Sequence, residues 1–298
     1  PNAPNLGDPE GDVTVVEFFD YNCPYCRNAG QTLQALLAAD TNVRVIYREW
    51  PILGEDTVIA ARAALADIPA GARIVIDGLG LPSFLPLADE LTKRGAVALI
   101  HHPTALEPGA PDSWRAALKA AERVLFNACA RIITTSNLTA RSLPEDFGVD
   151  PARITVVEPG TDPAPRAVGS AGPGCAILSV GLLVPRKGHD VLLRALARLT
   201  DLDWSLAIAG DATRDPVHAD GLRALAAELG LAQRIRILGA LPDAALEAEY
   251  ARADLFARAT RFEGYGMAAA EAMARGLPLA ITSGGAIADI VPEAAAVV

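Results

Sequence analysis

From Ala176 to Ile281 strand and helix signals alternate without a break, and no other feature of the chain restricts its fold as strongly. Short apolar runs at 176–180, 204–209, 235–238, 255–257 and 278–281 are separated by helical stretches at 190–199, 219–229, 243–251 and 266–275. Such alternation requires a parallel sheet, because a strand can run parallel to its predecessor only after a crossover, and the crossover is right-handed. Every strand-to-helix loop then emerges at one edge of the sheet, where a ligand is expected.

The first half alternates less regularly. The apolar run 13–19 ends in Asp20-Tyr21-Asn22, and 23–39 reads as a helix with Leu33, Leu36 and Leu37 on one face. A strand at 43–47, an alanine-rich helix at 56–66 and a strand at 73–76 complete a β-α-β-α-β order, with a break at 68–71. A helix at 86–93, strand 96–100, helix 113–129, strand 131–134, a helix from Asn137 and strand 154–157 follow. The stretch 159–174 is rich in proline, glycine and alanine, a composition that suits an interdomain linker. The predicted organisation is an N-terminal segment 1–67 merged into a first domain that continues over 68–160, a linker 161–175, and a second domain 176–298.

With 298 residues, 51% of them hydrophobic, the chain has apolar material for two cores. A formal net charge of −10 argues against a nucleic-acid surface, so any phosphate must be met by a local site. No apolar run reaches about 18 residues, and no basic-then-apolar leader precedes a small-residue cleavage site. The absence of an initiator methionine and the apolar ending at Val298 suggest a processed or truncated polypeptide, the second domain being shortened at its C-terminus. Of four cysteines, only Cys23 and Cys26 form a motif; Cys129 and Cys175 read as buried thiols, and His189 and His218 as surface residues at helix starts.

Two segments of the second domain carry chemistry. Gly181-Leu-Leu-Val-Pro-Arg186-Lys187-Gly188 follows its first strand and opens its first helix. A glycine there lets backbone approach a ligand, and Arg186 with Lys187 beside a helix start suits a diphosphate. Taken alone, Arg-Lys-Gly is an ordinary basic loop. Arg261-Phe-Glu263-Gly264-Tyr265-Gly266-Met-Ala-Ala-Ala-Glu271 places two carboxylates eight positions apart, the first in a glycine-rich loop and the second in the next helix. Glu271 therefore lies one or two turns inside that helix and can point back toward whatever its N-terminus holds.

Together these segments resemble glycosyltransferase family 4, the large retaining family of two-Rossmann-domain (GT-B) architecture. The matching pieces also include Ala-Gly-Asp at 209–211, Arg-Ile-Arg-Ile-Leu-Gly-Ala-Leu at 234–241, Ala-Asp-Leu-Phe at 253–256 and Ser-Gly-Gly-Ala at 283–286, in order and spacing, over roughly 73–298. The resemblance implies that Gly181, Arg186, Lys187, Glu263, Gly264, Tyr265, Gly266 and Glu271 line the donor site. Arg186 and Lys187 would hold the diphosphate, Glu263 the sugar hydroxyls and Glu271 the ribose hydroxyls. The family's usual Gly-Arg pair stands here as Gly181-Leu182, which leaves that cationic role to Arg186. In the first half, Ala98-Leu-Ile-His101-His102-Pro-Thr is similar to the family's strand ending in a histidine that faces the donor sugar; His101 and His102 are not distinguished. Thr135-Ser136 and Glu158-Pro-Gly160-Thr161 match as well. The implied reaction moves a sugar from a UDP- or GDP-sugar to a hydroxyl acceptor, with no metal and no tightly bound cofactor.

The N-terminus departs from that family. Val15-Val-Glu-Phe-Phe-Asp-Tyr-Asn-Cys23-Pro-Tyr-Cys26-Arg and Val43-Arg-Val-Ile-Tyr-Arg-Glu-Trp-Pro resemble the DsbA-like thiol oxidoreductases of the thioredoxin superfamily, over about 8–66. A Cys-x-x-Cys at a helix N-terminus makes the first thiol, Cys23, the nucleophile of disulfide exchange. The later strands of a thioredoxin fold have no counterpart here, so the chain reads as a chimera whose first β-α-β-α piece joins the N-terminal sheet of an α/β, GT-B-like protein. One merged sheet is expected. Glycosyl transfer is the leading function; a thiol oxidoreductase acting through Cys23 and Cys26, and a stable but inactive scaffold, are the alternatives. A cytosolic donor points to the cytoplasm, a Cys-x-x-Cys oxidant to the periplasm.

Overall fold

The structure is a computed structural model and describes residues 5–8, 11, 13–19, 24–49, 74–108, 111–292 and 296–297. Contacts divide the chain into two compact units, the second holding 157–298 with two short pieces of the first half.

In the first unit, β1 (Asn5–Gly7), β2 (Val13–Phe19), α1 (Pro24–Ala39) and β3 (Val43–Glu49) are followed by β4 (Val75–Asp77), a 3-10 turn (Leu81–Leu87) and α2 (Ala88–Arg94). Then come β5 (Val97–Ile100), α3 (Asp112–Ala128), β6 (Arg131–Thr134), α4 (Asn137–Phe147) and β7 (Ile154–Val156). The expected helix at 56–66 lies outside the described residues. Strands β4-β5-β6-β7 form a parallel sheet in sequence order. Its core is built from Ile76, Leu91, Ala98, Ile100, Leu125, Phe126, Ile132, Leu143 and Phe147, and Phe126 meets Phe147 edge to face at 5.1 Å.

The single merged sheet is a misreading for the described strands. β1, β3 and β2 form their own three-stranded sheet in that order. The short strand Asn5–Gly7 pairs antiparallel with β3, and β2 pairs parallel with its other side.

The second unit is a six-stranded sheet in the order β10-β9-β8-β11-β12-β13, with every pair parallel. Its elements are β8 (Cys175–Val180), α5 (His189–Leu196), β9 (Trp204–Ala209), α6 (Pro216–Glu228), β10 (Ile235–Gly239), α7 (Asp243–Arg252), β11 (Leu255–Arg258), α8 (Met267–Ala274), β12 (Leu279–Ile281), α9 (Ile287–Ile290) and β13 (Ala296–Val297). This is the doubly wound order, in which the direction of winding reverses between β8 and β11. Helices cover both faces: one core joins Leu192, Leu193, Leu206, Ile208 and Leu222, the other Leu178, Tyr250, Phe256, Ala269 and Ile281. Local signals agree with this placement. Asp215 caps α6 by accepting from the His218 amide, with Pro216 in the first turn.

The proline-rich stretch is docked rather than loose. The amides of Ala167, Val168 and Gly169 donate to the carbonyls of Arg275 and Ala251, and Asp254 accepts from the amides of Ser170 and Ala176. Phe256 is wholly buried on β11, next to the reversal point. Phe256→Ala should therefore cost about 3–5 kcal/mol, read as a lower denaturation midpoint in urea with the nucleotide-free protein.

Candidate functional site

The C-terminal ends of β8 and β11 flank the reversal point, and the loops that leave them are tied together. After β8, Gly181 adopts φ +156, and a Cβ there would collide with the Arg258 guanidinium at 2.5 Å. His189, at the start of α5, is buried instead of exposed as expected, because its ring folds back under this loop. Its Nε2 sits 3.3 Å from the carbonyl oxygens of both Gly181 and Leu182. Burial pushes its pKa down to about 4, with the Arg258 charge adding to the effect, so Nε2 carries the proton and donates.

The loop after β8 then makes a 3-10 turn, Pro185–Lys187, closed by Gly188 at φ +66, where a Cβ would lie 1.8 Å from the Ala259 carbonyl. This close approach locks the two loops together. The Arg261 amide donates to the Arg186 carbonyl at 2.9 Å, and Arg186 Nη1 donates to the Phe262 carbonyl at 3.0 Å. Arg261 also grips Asp190 with both Nη atoms, at 2.9 and 2.7 Å, which holds the Asp190 carboxyl below its ordinary value.

Glu263 sits at the centre, 6% exposed. Its backbone is clamped from both sides: its amide donates to the Gly284 carbonyl and its carbonyl accepts from the Ala286 amide, at 3.0 and 2.9 Å. This explains the Ser-Gly-Gly-Ala motif, since a Cβ on Gly285 would meet the Glu263 carbonyl at 2.3 Å. Lys187 Nζ donates to both carboxylate oxygens at 2.8 Å. Arg258 Nε and Nη2 donate to Oε1 at 3.1 and 2.7 Å, and Arg186 Nη1 stands 3.8 Å from Oε2. Burial tends to raise the Glu263 pKa, but the charges of Arg258, Lys187 and Arg186 outweigh it and hold the carboxyl below its ordinary value. The opposite happens to Lys187: burial, aided by Arg258, lowers it to about 8 despite Glu263. The two shifts have one cause. Three cations gather round Glu263, with Glu107 3.8 Å from Arg186 as the second carboxylate, so the cluster carries excess positive charge and favours an anion.

Glu271 stands on α8, behind the Gly264-Tyr265-Gly266 turn, and its Oε2 accepts from the Tyr250 hydroxyl at 2.9 Å. Tyr250 is held in turn by Arg275, whose guanidinium lies 4.4 Å from the ring centroid. Glu271 thus presents a fixed carboxylate at the start of the helix that follows Glu263.

In the first unit, His101 and His102 follow β5, and the structure distinguishes them. His101 Nε2 lies 2.8 Å from Asp77 Oδ2 at the end of β4. That contact raises the His101 pKa against its partial burial. His102 precedes a short turn whose Thr104 and Ala105 amides donate to the buried Glu122 carboxylate. Cys23 lies outside the described residues, and Cys26 falls in the first turn of α1. Among the described residues no group of three or more His, Cys, Asp or Glu side chains could hold a metal, and no helix is long and apolar enough to cross a membrane.

Comparison with known sequences adds three findings. Residues 164–297 match the family model described as glycosyl transferases group 1, and residues 79–165 the one described as Glycosyltransferase Family 4. Residues 79–297 are thus similar to these glycosyltransferases. Residues 14–76 match the DSBA-like thioredoxin domain, so the chain joins sequences of two families. The glycosyltransferase region is 34% identical over 212 residues to a D-inositol 3-phosphate glycosyltransferase from Mycobacterium sp. (strain KMS), and 33% identical over 189 residues to one from Nocardia farcinica. These alignments cover 65% and 58% of this chain, and the chain spans less than half the length of either relative, 48% and 42%. In fold, the protein resembles a sucrose-phosphate synthase from Thermosynechococcus elongatus, with TM-score 0.73, 17% identity, and 96% of this chain and 84% of that chain covered. It also resembles Anabaena HepE solved in complex with UDP and glucose, with TM-score 0.68, 18% identity, and 94% and 75% covered. Both likenesses establish a GT-B-like architecture of two Rossmann-like sheets.

Within the glycosyltransferase region, the structure brings Gly181, Arg186, Lys187 and Glu263 into one cluster and sets Glu271 on the adjoining helix. Sequence reasoning missed Arg258, Thr260, Tyr250 and Asp77. A signal existed for the first, since Arg258 is the one charged residue in the strand Leu255-Phe-Ala-Arg258. The His101–Asp77 pair can be checked directly. In Asp77→Asn the His101 imidazole should titrate at lower pH than in the unmodified protein, as followed by proton NMR of the ring.

Proposed function

We propose that the glycosyltransferase region binds a nucleoside-diphosphate sugar and transfers the sugar, with retention at the anomeric carbon, to a hydroxyl acceptor. The observation that carries this reading is the surplus of positive charge at the reversal point of the second sheet, where Arg186, Lys187 and Arg258 meet two carboxylates, Glu263 and, 3.8 Å from Arg186, Glu107. That edge is where doubly wound sheets hold their ligands. An anionic diphosphate suits the surplus.

The chemical difficulty in such a transfer is departure of the diphosphate from an anomeric carbon that acquires oxocarbenium character. The C1–O bond to the diphosphate breaks, the acceptor oxygen forms the new C1–O bond, and the acceptor hydroxyl passes its proton to the departing diphosphate oxygen. Arg186 and Lys187 stabilise the negative charge that grows on the leaving group, as a divalent ion does in metal-dependent transferases. In this reading Glu263 accepts hydroxyl hydrogen bonds from the sugar and does not attack C1. Glu271, anchored by Tyr250, accepts the ribose hydroxyls.

Two measurements test this. Calorimetric titration with UDP and with GDP should give saturable binding to one of them, weakened about tenfold or more in Glu271→Ala by loss of a charged acceptor. Saturable binding of neither, nor of other nucleoside diphosphates, would sink the proposal. The second test uses Lys187, which titrates at about 8 in the free protein. An anion favours its charged form, so binding at pH 8.5 should draw a proton from the buffer, seen as an enthalpy that changes with buffer ionisation heat. Affinity should fall as the pH rises above 8. Lys187→Met should abolish the proton uptake; uptake that persists in that variant assigns it elsewhere.

A further inference from the structure

The cluster around Glu263 treats its two carboxylate oxygens differently. Oε1 receives Arg258 Nε at 3.1 Å, Arg258 Nη2 at 2.7 Å and Lys187 at 2.8 Å, with Thr260 Oγ1 at 3.3 Å. Oε2 receives Lys187 at 2.8 Å, and Arg186 stands off at 3.8 Å. The donors also differ in their setting. Arg258 is 3% exposed, enclosed on β11, and its Nη1 and Nη2 both press on the space a Gly181 Cβ would fill. Lys187 is on a turn, with a flexible four-carbon stem and a side chain 13% exposed.

From this asymmetry we propose that Arg258 is a positioning residue of the donor site: it anchors Glu263 through Oε1, so that Lys187 can leave Glu263 for the ligand's diphosphate while Oε2 becomes free to accept a sugar hydroxyl. The inference rests on the nucleotide-sugar reading above and deepens it. Without Arg258, departure of Lys187 would strand a buried carboxylate with few donors, and the carboxylate would either hold the lysine back or take up a proton. With Arg258 in place, the carboxylate keeps a counter-ion and its orientation throughout the exchange. The remaining orphan, Arg258 Nη1, is buried with no partner of its own, which fits a side chain fixed by its two bonds to Oε1 and by contact with Gly181. The other titratable groups that feel the Arg258 charge are His189, held neutral beneath the loop, and Tyr250, whose hydroxyl serves Glu271.

Because Arg258 acts through Glu263, its effect should appear in recognition of the sugar and should depend on Glu263. The test is a double-mutant cycle with Arg258→Met and Glu263→Gln, in which UDP and UDP-glucose (GDP and GDP-mannose if the guanine nucleotide binds) are titrated into each protein. The quantity read is the affinity of the sugar nucleotide relative to the free nucleotide. Arg258→Met alone should lower that ratio about tenfold or more. In the Glu263→Gln background the same substitution should change it less than about twofold, since coupled residues are non-additive. Arg258→Lys, which keeps the charge, should recover part of the ratio and guards against a methionine variant that fails to fold. An equal loss in both backgrounds, or an unchanged ratio in Arg258→Met, would overturn the inference while leaving the functional reading intact. Failure of the unmodified protein to bind any nucleotide would overturn both.

Discussion

A buried carboxylate held among cations is the constraint on which the second unit's functional edge depends. An ionised Glu263 at 6% exposure is costly unless its charge is met. Meeting it draws in Arg258 from β11, Lys187 from the turn after β8 and Thr260 from the intervening loop. The backbone arrangement follows from this demand. Gly181 leaves room for Arg258, Gly188 lets the two loops touch, and Gly285 allows the Glu263 backbone to be clamped. Replacing Gly188 or Gly285 puts a Cβ on backbone atoms that cannot easily yield, and replacing Gly181 puts one on the Arg258 guanidinium, so the motif glycines serve the ion cluster.

The charge imbalance of this cluster links stability to function. A balanced buried pair would be content without ligand; this one has more cationic than anionic groups, and Lys187 is accordingly easier to deprotonate than an ordinary lysine. The imbalance is electrostatic, and an anion such as the proposed diphosphate would relieve it. Stitching by Arg261 to Asp190 and by Arg186 to the Phe262 carbonyl limits the reorganisation that binding would require.

The first unit joins two sequence families, and its topology records the join. Strands β2 and β3 are parallel and connected through α1, as either family's β-α-β unit would be. Asn5–Gly7, a strand too short and too polar to signal itself in the sequence, adds an antiparallel edge to them, and the described strands form a sheet apart from β4-β5-β6-β7.

The second sheet was legible because its determinants are local and periodic. Apolar strands, amphipathic helices and the spacing between them imply a parallel, right-handed winding, and the glycine and Glu-x7-Glu motifs mark the loops at its functional edge. Gly181, Arg186, Lys187 and Glu263 lie in those loops, and their membership of one site is what the resemblance to glycosyltransferase family 4 implies. Tertiary structure alone decided which charges meet. Arg258 and Tyr250 lie outside the motifs that mark the site, His189 reads as a surface residue at a helix start, and His101 and His102 are not distinguished by sequence. Their roles depend on distances between segments far apart in sequence: β11 beside β8, α7 beside α8, β4 beside β5. Periodicity fixes which face of an element is apolar, but the partner of a buried charge is set only when the sheet brings two strand ends together.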